Sequence, residues 1–510
     1  MKKEKLVLAV ILLFFILSRL FRITDIPPSV YWDEASIGYN AYSVLTTAKD
    51  EWGEFLPLHF RAFGEFKLPV YIYSTIPFVK ILGLNPLSTR LPSVFYSLIS
   101  VILLYLLAKK ISGSGLVGIL SAFIFSVIPW FFIFSRTGYE ASAGLAFFLL
   151  AFYAFILSRK EGKWFIISTI SLIASIYSYN SFRILSPPSF LLFIATFVYE
   201  RRKNLSQNIL YLLLNIILFF LALVPIARLF ILDAGALRFT AVSVQGSLFE
   251  KILAITQNYF SHFSYKFLFS VGDGNLRSNI QGFGELYLIS LPLLISGLIY
   301  IFKKRKFELL LVLGVLLIAC IPASITRETP HALRTILFAP FASIMIGLGA
   351  KYLQDITGKY SKYIIVSVIL IYLAFFESYY WNFINLYPKI SSSDWQYGYK
   401  VLFTNYKDEF NNYQKVIISD EYAQPYIFTL YYLQYDSNKF RQDVIYNPVD
   451  KWGFSAVKSF GNFEFKKIEN KDIVKGNLVF ASPNDKPIKV VPSGEIKFLN
   501  GNTAFFVYKL

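Results

Sequence analysis

The sequence predicts a polytopic α-helical membrane protein of about eleven transmembrane helices, followed by a small C-terminal α/β domain. Three observations predict it. Apolar runs of about 20 residues recur along the chain. Short basic clusters separate them and fall on one side. After residue 382 the composition changes. Of 510 residues, 55% are hydrophobic, 18% aromatic and 16% charged, whereas soluble domains carry about a quarter charged residues.

The spans are predicted at 5–23, 90–108, 115–134, 140–158, 163–180, 184–200, 207–230, 285–302, 307–325, 333–351 and 362–382. Residues Leu6 to Leu17 have the length of a signal-peptide core, but no small-residue cleavage site follows, so this reads as an uncleaved first span. When the spans alternate, Lys2, Lys3 and Lys5, Lys109–Lys110, Arg159–Lys160–Lys163, Arg201–Arg202–Lys203, Lys303–Lys304–Arg305–Lys306 and Lys351/Lys359/Lys362 share the side of the N-terminus. The positive-inside rule makes that side cytoplasmic. The expected location is therefore the plasma or inner membrane, multi-pass, with the N-terminus cytoplasmic. The net charge of +18 largely belongs to these clusters, which argues against nucleic acid as a partner.

The opposite side holds everything long: a loop over 24–89, another between 231 and 284, and the tail from 383 to 510. A transmembrane domain over 1–382 and an extracytoplasmic α/β domain over 383–510 follow. In the tail, 415–420, 477–481 and 503–508 read as strands and 425–432 as a short helix. No internal repeat suggests an inverted-repeat transporter. The single cysteine, Cys320, lies in an apolar run, so no disulfide or cysteine metal cluster is expected. His59 and His262 lack partners at metal-ligand spacing.

In the first outer loop, 31–48 begins with Asp33–Glu34 and continues as an amphipathic helix too polar to span. Segment 68–82 reads as a second short interfacial helix. Acids at a helix start satisfy free amides and the dipole. A carboxylate beside aromatics near the outer surface also suits a general base toward an acceptor hydroxyl. The local sequence leaves both readings open.

Several cations sit outside against the positive-inside trend: Arg61, Lys67, Arg90, Arg136, Arg183, Arg327 and Arg334. Singly each reads as a snorkelling or solvated residue; together they suggest an anion near the outer surface. At Pro330–His331–Ala332–Leu333–Arg334, opening the tenth span, His331 and Arg334 would share a helix face. Cations there oppose the dipole unless an anion such as phosphate binds. In Ser135–Arg136–Thr137–Gly138–Tyr139–Glu140, Glu140 reads either as a second acid or as a cap of the fourth span. Gly272–Asp273–Gly274 follows no strand and so is no nucleotide-phosphate loop; it reads as a flexible outer loop or lid.

The first span, Asp33–Glu34, the two short helices, Gly64–Glu65–Phe66–Lys67–Leu68–Pro69 with Tyr71, and Thr89–Arg90–Leu91–Pro92–Ser93 resemble the membrane-embedded C-type glycosyltransferases. Within that superfamily the chain is most similar to family 39, the protein O-mannosyltransferase and aminoarabinose transferase group. The resemblance covers 1–230 well and 285–382 loosely. It implies an inverting glycosyltransferase that moves a sugar from a polyprenyl-phosphate donor to an extracytoplasmic acceptor, whether protein, lipid or glycan. It makes Asp33 the catalytic acid with Glu34 its neighbour. Lys67, Arg136, His331 and Arg334 become donor-phosphate ligands, Glu140 the second acid, and Tyr71, Arg61 and Arg90 substrate contacts. The residues name no cofactor, and the resemblance leaves room for a divalent metal. The bilayer is the other expected partner. A lipid-linked glycan transporter or flippase is the alternative, but it calls for ionisable residues at mid-membrane depth, and the charges gather at span ends. A membrane-anchored binding protein without chemistry is the third reading.

Overall fold

A computed structural model describes residues 2–63, 65–202, 205–232, 239–240, 242–448, 456–485 and 489–510. Gly64 and Lys203, named above, lie outside the described residues. The chain divides into two compact units.

The first unit includes Met1–Phe21, Ser93–Leu232 and Val242–Trp381 and is helical. Helix underlies every predicted span, but only six helices are long and apolar enough to cross a membrane among the described residues. These are Pro86–Ser112, Ala141–Ser158, Asn180–Arg201, Ile209–Ile231, Phe307–Ser324 and the long stretch Phe338–Asn385. The predicted spans at 115–134 and 163–180 are realised as Gly115–Val127 and Trp164–Ile176, of 13 residues each. At about 1.5 Å per residue they reach about 20 Å, short of the hydrocarbon thickness of about 30 Å. Pro129 explains the first break: the residue before it, Ile128, is extended (φ −68°, ψ 146°), as the clash with a proline ring requires.

The helices pack through small residues. A Cβ added at Gly349 would lie 1.9 Å from the Leu293 carbonyl oxygen, and one at Gly297 would lie 2.1 Å from that of Met345. Only glycine lets Ser290–Lys304 and Phe338–Thr357 approach so closely. Two buried arginines fix the end of the first helix, Lys2–Leu20. Arg19 donates from Nη2 to the Ser126 carbonyl (2.7 Å) and from Nε to Ser135 Oγ (2.9 Å). Arg136 donates to the carbonyls of Ser18 (3.2 Å) and Phe21 (2.9 Å), oxygens that a helix C-terminus leaves without intrahelical partners.

The second unit includes Arg22–Pro92 and Asn382–Leu510. Its first part holds the helices Trp32–Thr47 and Pro69–Leu82, joined through an antiparallel hairpin of Phe60–Ala62 and Glu65–Lys67. Its last part is built on a seven-stranded mixed sheet. The strand order is Ile445–Tyr446, Val457–Phe460, Phe463–Phe465, Lys415–Ile418, Asn477–Ala481, Thr503–Lys509 and Gly494–Lys497. Lys415–Ile418 pairs in parallel with both neighbours. Asn477–Ala481 is buried along its whole length, and reads as a continuous apolar run because both faces are covered. The sheet and the helix Pro425–Leu433 realise the α/β reading of the tail.

Candidate functional site

Asp33 and Glu34 occupy the first turn of the helix Trp32–Thr47, where the dipole favours acids. They point to different partners. Glu34 receives Arg90 through two parallel bonds, Nε to Oε1 and Nη2 to Oε2, each 2.9 Å, with both side chains fully buried. Arg90 also donates to the carbonyls of Ile23 (2.7 Å), Pro27 (3.1 Å) and Ser29 (2.6 Å). This arginine ties the 23–34 segment to the helix Pro86–Ser112, and its donors are spent on protein oxygens rather than on a substrate. Glu34 is likewise a structural charge.

Asp33 instead pairs with Lys67, whose Nζ donates to Oδ1. Lys67 stands at the end of the second hairpin strand. Its side chain is 2% exposed and that of Asp33 24%. The pair therefore offers one accessible carboxylate backed by a desolvated ammonium, an arrangement in which electrostatic effects are strong. Phe63 lies 5.9 Å from the ammonium. Tyr71 is buried, its hydroxyl donating to the Thr89 carbonyl (3.1 Å), so it clamps the helix start. Arg61 lies over Trp52 at 4.1 Å, and Trp52 stacks on Tyr446 at 4.4 Å.

The same unit holds two acids that no motif or spacing singles out. Glu51 is buried; Oε1 accepts from the Tyr426 hydroxyl (3.2 Å) and the Trp52 indole (3.2 Å). Oε2 has no hydrogen-bond partner. Burial, with the neighbouring Asp50 carboxylate, pushes its carboxyl up to about 8, partly opposed by Lys67. Burial pushes Asp50 up to about 6.

In the first unit, regular helix begins only at Phe338, not at Pro330. The reason lies in the amides. The His331 N–H donates to His262 Nε2 (3.2 Å) and the Ala332 N–H to Asp273 Oδ2 (2.8 Å). Side chains thus occupy amides that the helix-terminus reading left for an anion. His331 Nδ1 lies 3.5 Å from Asp273 Oδ2, but burial, with Arg334, His262 and Arg277 nearby, holds this imidazole well below its usual range. It is a neutral contact, not an ion pair. His262 donates from Nδ1 to the Asn258 carbonyl (2.9 Å) and is pushed down to about 4 by burial. Its partner is 69 residues away, so no local spacing announces it.

Arg334 keeps a guanidinium 20% exposed, held by Thr326 Oγ1 (2.7 Å) and Glu328 Oε2 (3.2 Å). The Gly272–Asp273 loop is tied in rather than free: the Asp273 N–H donates to the buried Glu285 (2.8 Å), and Gly272, at φ +76°, has Asn279 where a Cβ would stand. Burial raises the Asp273 carboxyl. Arg136 is committed to the first helix, as described. Glu140 precedes the helix Ala141–Ser158 without forming a side-chain cap. Among the described residues, no three His, Cys, Asp or Glu side chains are grouped to hold a metal ion.

Residues 67–226 match the family model described as dolichyl-phosphate-mannose-protein mannosyltransferase. Among curated proteins no sequence matches the chain. In fold, the chain is similar to ArnT from Cupriavidus metallidurans bound to undecaprenyl phosphate, at 13% identity and a TM-score of 0.53, covering 94% of this chain and 93% of that one. It is also similar to the archaeal oligosaccharyltransferase AglB from Archaeoglobus fulgidus, in complex with an inhibitory peptide and a dolichol-phosphate, at 11% identity and a TM-score of 0.50. That match covers 84% of this chain and 63% of AglB, so the chain spans less than two thirds of the oligosaccharyltransferase. The family-model match and the fold point the same way as the motifs: residues 67–226 resemble the mannosyltransferase family, and the chain's fold is similar to those of ArnT and AglB.

Proposed function

We propose that the protein transfers a sugar from a polyprenyl-phosphate donor to an acceptor outside the cytoplasm, with inversion at the anomeric carbon. The observation that carries this reading is the Asp33–Lys67 pair, a partly exposed carboxylate against a buried ammonium at the edge of the family-matched segment. Asp33 takes the proton of the acceptor hydroxyl as that oxygen attacks the anomeric carbon. The bond from that carbon to the phosphate oxygen breaks, and negative charge collects on the departing lipid phosphate.

Lys67 is the cation assigned to that phosphate. A fixed ammonium placed where charge develops lowers the barrier more than it tightens ground-state binding. As the phosphate draws Lys67, the hold on Asp33 weakens and the carboxylate becomes available as base. Arg334 is a second cation assigned to anion binding, since part of its guanidinium remains exposed. Inversion, the donor class and the outward orientation rest on the family resemblance and on the lipid phosphates named for ArnT and AglB. The test is incubation of purified protein in lipid with polyprenyl-phosphate sugars radiolabelled in the sugar, together with an envelope extract as acceptor source. Transfer of label to the extract supports the reading. Label moved intact across the bilayer without cleavage supports a flippase instead.

A further inference from the structure

Asp50 and Glu51 are adjacent acids between the helix Trp32–Thr47 and the hairpin, and they are 0% and 1% exposed. Each has one oxygen bonded and one idle. Asp50 Oδ1 accepts from the Trp52 and Glu54 N–H groups (2.9 Å each), and Glu51 Oε1 accepts from Tyr426 and Trp52. Asp50 Oδ2 and Glu51 Oε2 have no hydrogen-bond partner among the described residues. A buried polar atom left unpaired costs free energy, and nearly all such atoms in folded proteins are bonded. The turn uses only the bonded oxygens. The other two are hydrogen-bonding atoms that the fold buries and does not itself employ.

Their surroundings say what would employ them. The Glu51 N–H donates to Asn40 Oδ1 (3.0 Å). Asn40 follows Asp33 by two turns of the helix Trp32–Thr47, so both lie on one helix face, about 10 Å apart along the axis. On the other side, Phe63 meets the Tyr426 ring at 6.0 Å and lies 5.9 Å from the Lys67 ammonium, while Arg61 covers Trp52. The hairpin that carries Lys67 therefore also roofs the two side chains bonded to Glu51, and the Lys67 charge acts on Glu51. A hydroxyl both donates and accepts, so it satisfies an idle carboxyl oxygen whether or not that oxygen carries a proton. A phosphodiester only accepts and would face the Asp50 carboxyl. An ammonium would face Lys67.

We propose, resting on the transfer reading above, that Glu51, with Asp50 beside it, binds hydroxyl groups of the sugar carried by the donor lipid. With the phosphate at Lys67 and the anomeric carbon facing the acceptor oxygen at Asp33, the far hydroxyls of the ring reach toward Glu51. The hairpin, three residue pairs long, is the part that moves to admit them. A two-stranded hairpin is marginal by itself, and lifting it uncovers the acid.

The experiment is equilibrium binding of radiolabelled lipids to the full chain in nanodiscs. The probes are undecaprenyl phosphate, undecaprenyl-phosphate mannose and undecaprenyl-phosphate glucose. Wild type is expected to bind at least one sugar-bearing lipid about tenfold more tightly than undecaprenyl phosphate, the scale of one hydrogen bond to an acid. Glu51→Met should erase that margin and leave the binding of undecaprenyl phosphate unchanged. Glu51→Asp, which keeps the acid but withdraws it by one methylene, should do the same, and it decides the matter if the Met variant fails to fold. Equal losses for all three lipids would assign Glu51 to the fold alone and overturn the proposal, as would an undiminished margin in the variants. Wild type binding all three lipids equally would overturn it too, while leaving the phosphate site in place. Failure of wild type to bind any of them would overturn the transfer reading itself, and this proposal with it.

Discussion

Arg90 and Glu34 meet through two parallel 2.9 Å hydrogen bonds, with neither side chain exposed to solvent. Removing one member leaves the other charged, buried and unpaired, a loss of about 3–5 kcal/mol. Glu34→Ala is therefore expected to lower stability by that order, measured by denaturant unfolding of the purified protein. Arg90→Lys should also be destabilising, because an ammonium lacks the fork that serves two carboxylate oxygens and three carbonyls. Wild-type stability in both variants would remove the structural role assigned to this pair.

Lys67 is expected to behave differently. Lys67→Met replaces a buried ammonium by an apolar side chain of similar length and leaves Asp33, which is partly exposed, able to hydrate. Stability should change little, while the transfer rate should fall by about 10²–10³-fold, the scale for removing a group that stabilises developing charge. If kcat is unchanged and only KM rises, Lys67 contributes uniform binding and not transition-state stabilisation.

Glu51 predicts a pH effect of definite sign. Its folded-state value is raised to about 8 from 4.5, so the fold favours the protonated acid. The unfolded chain ionises first as pH rises; stability from this group is complete below about 4.5 and is lost as pH climbs through about 8. Thermal unfolding from pH 5 to 8 should show a falling Tm in the wild type and a flatter profile in Glu51→Gln. Parallel profiles would exclude Glu51 as the source.

His262 works in the opposite direction. Its value is depressed to about 4, so the fold favours neutral imidazole, and its contribution is complete above about 6.5 and lost as pH falls toward about 4. Protonation at Nε2 removes the acceptor of the His331 N–H. Hydrogen exchange corrected for intrinsic rate should show the His331 amide protected at pH 7 and released near pH 4, with His262→Phe released at both. Asp273, whose carboxyl is raised by burial, opposes this trend in overall stability, because the fold favours its protonated form as pH falls.

The helices were legible because apolar runs need no distant information, and Asn477–Ala481 and Thr503–Lys509 because β-branched and aromatic residues crowd them. Val457–Phe460, Phe463–Phe465 and Gly494–Lys497 escaped: they are short, and Lys458, Glu464 and Glu495 break their patterns. The helix Leu248–Ser261 also escaped, although Ser247 and Glu250 stand at capping-box spacing. In the candidate site, residue types were readable and partners were not. Arg90 and Arg136 are cations against the charge trend, as an anion site would have them, yet both serve backbone carbonyls brought from far along the chain. Asp50 and Glu51 look like ordinary loop acids, and only burial sets them apart.

Asp33 as the base is tested by comparing transfer by Asp33→Asn with transfer by wild type. Both proteins would be purified in lipid and given the same labelled polyprenyl-phosphate sugars and acceptor extract. Asp33→Asn is expected to keep wild-type expression and Tm while transfer falls to background. Transfer at the wild-type rate by a correctly folded Asp33→Asn would rule Asp33 out as the base.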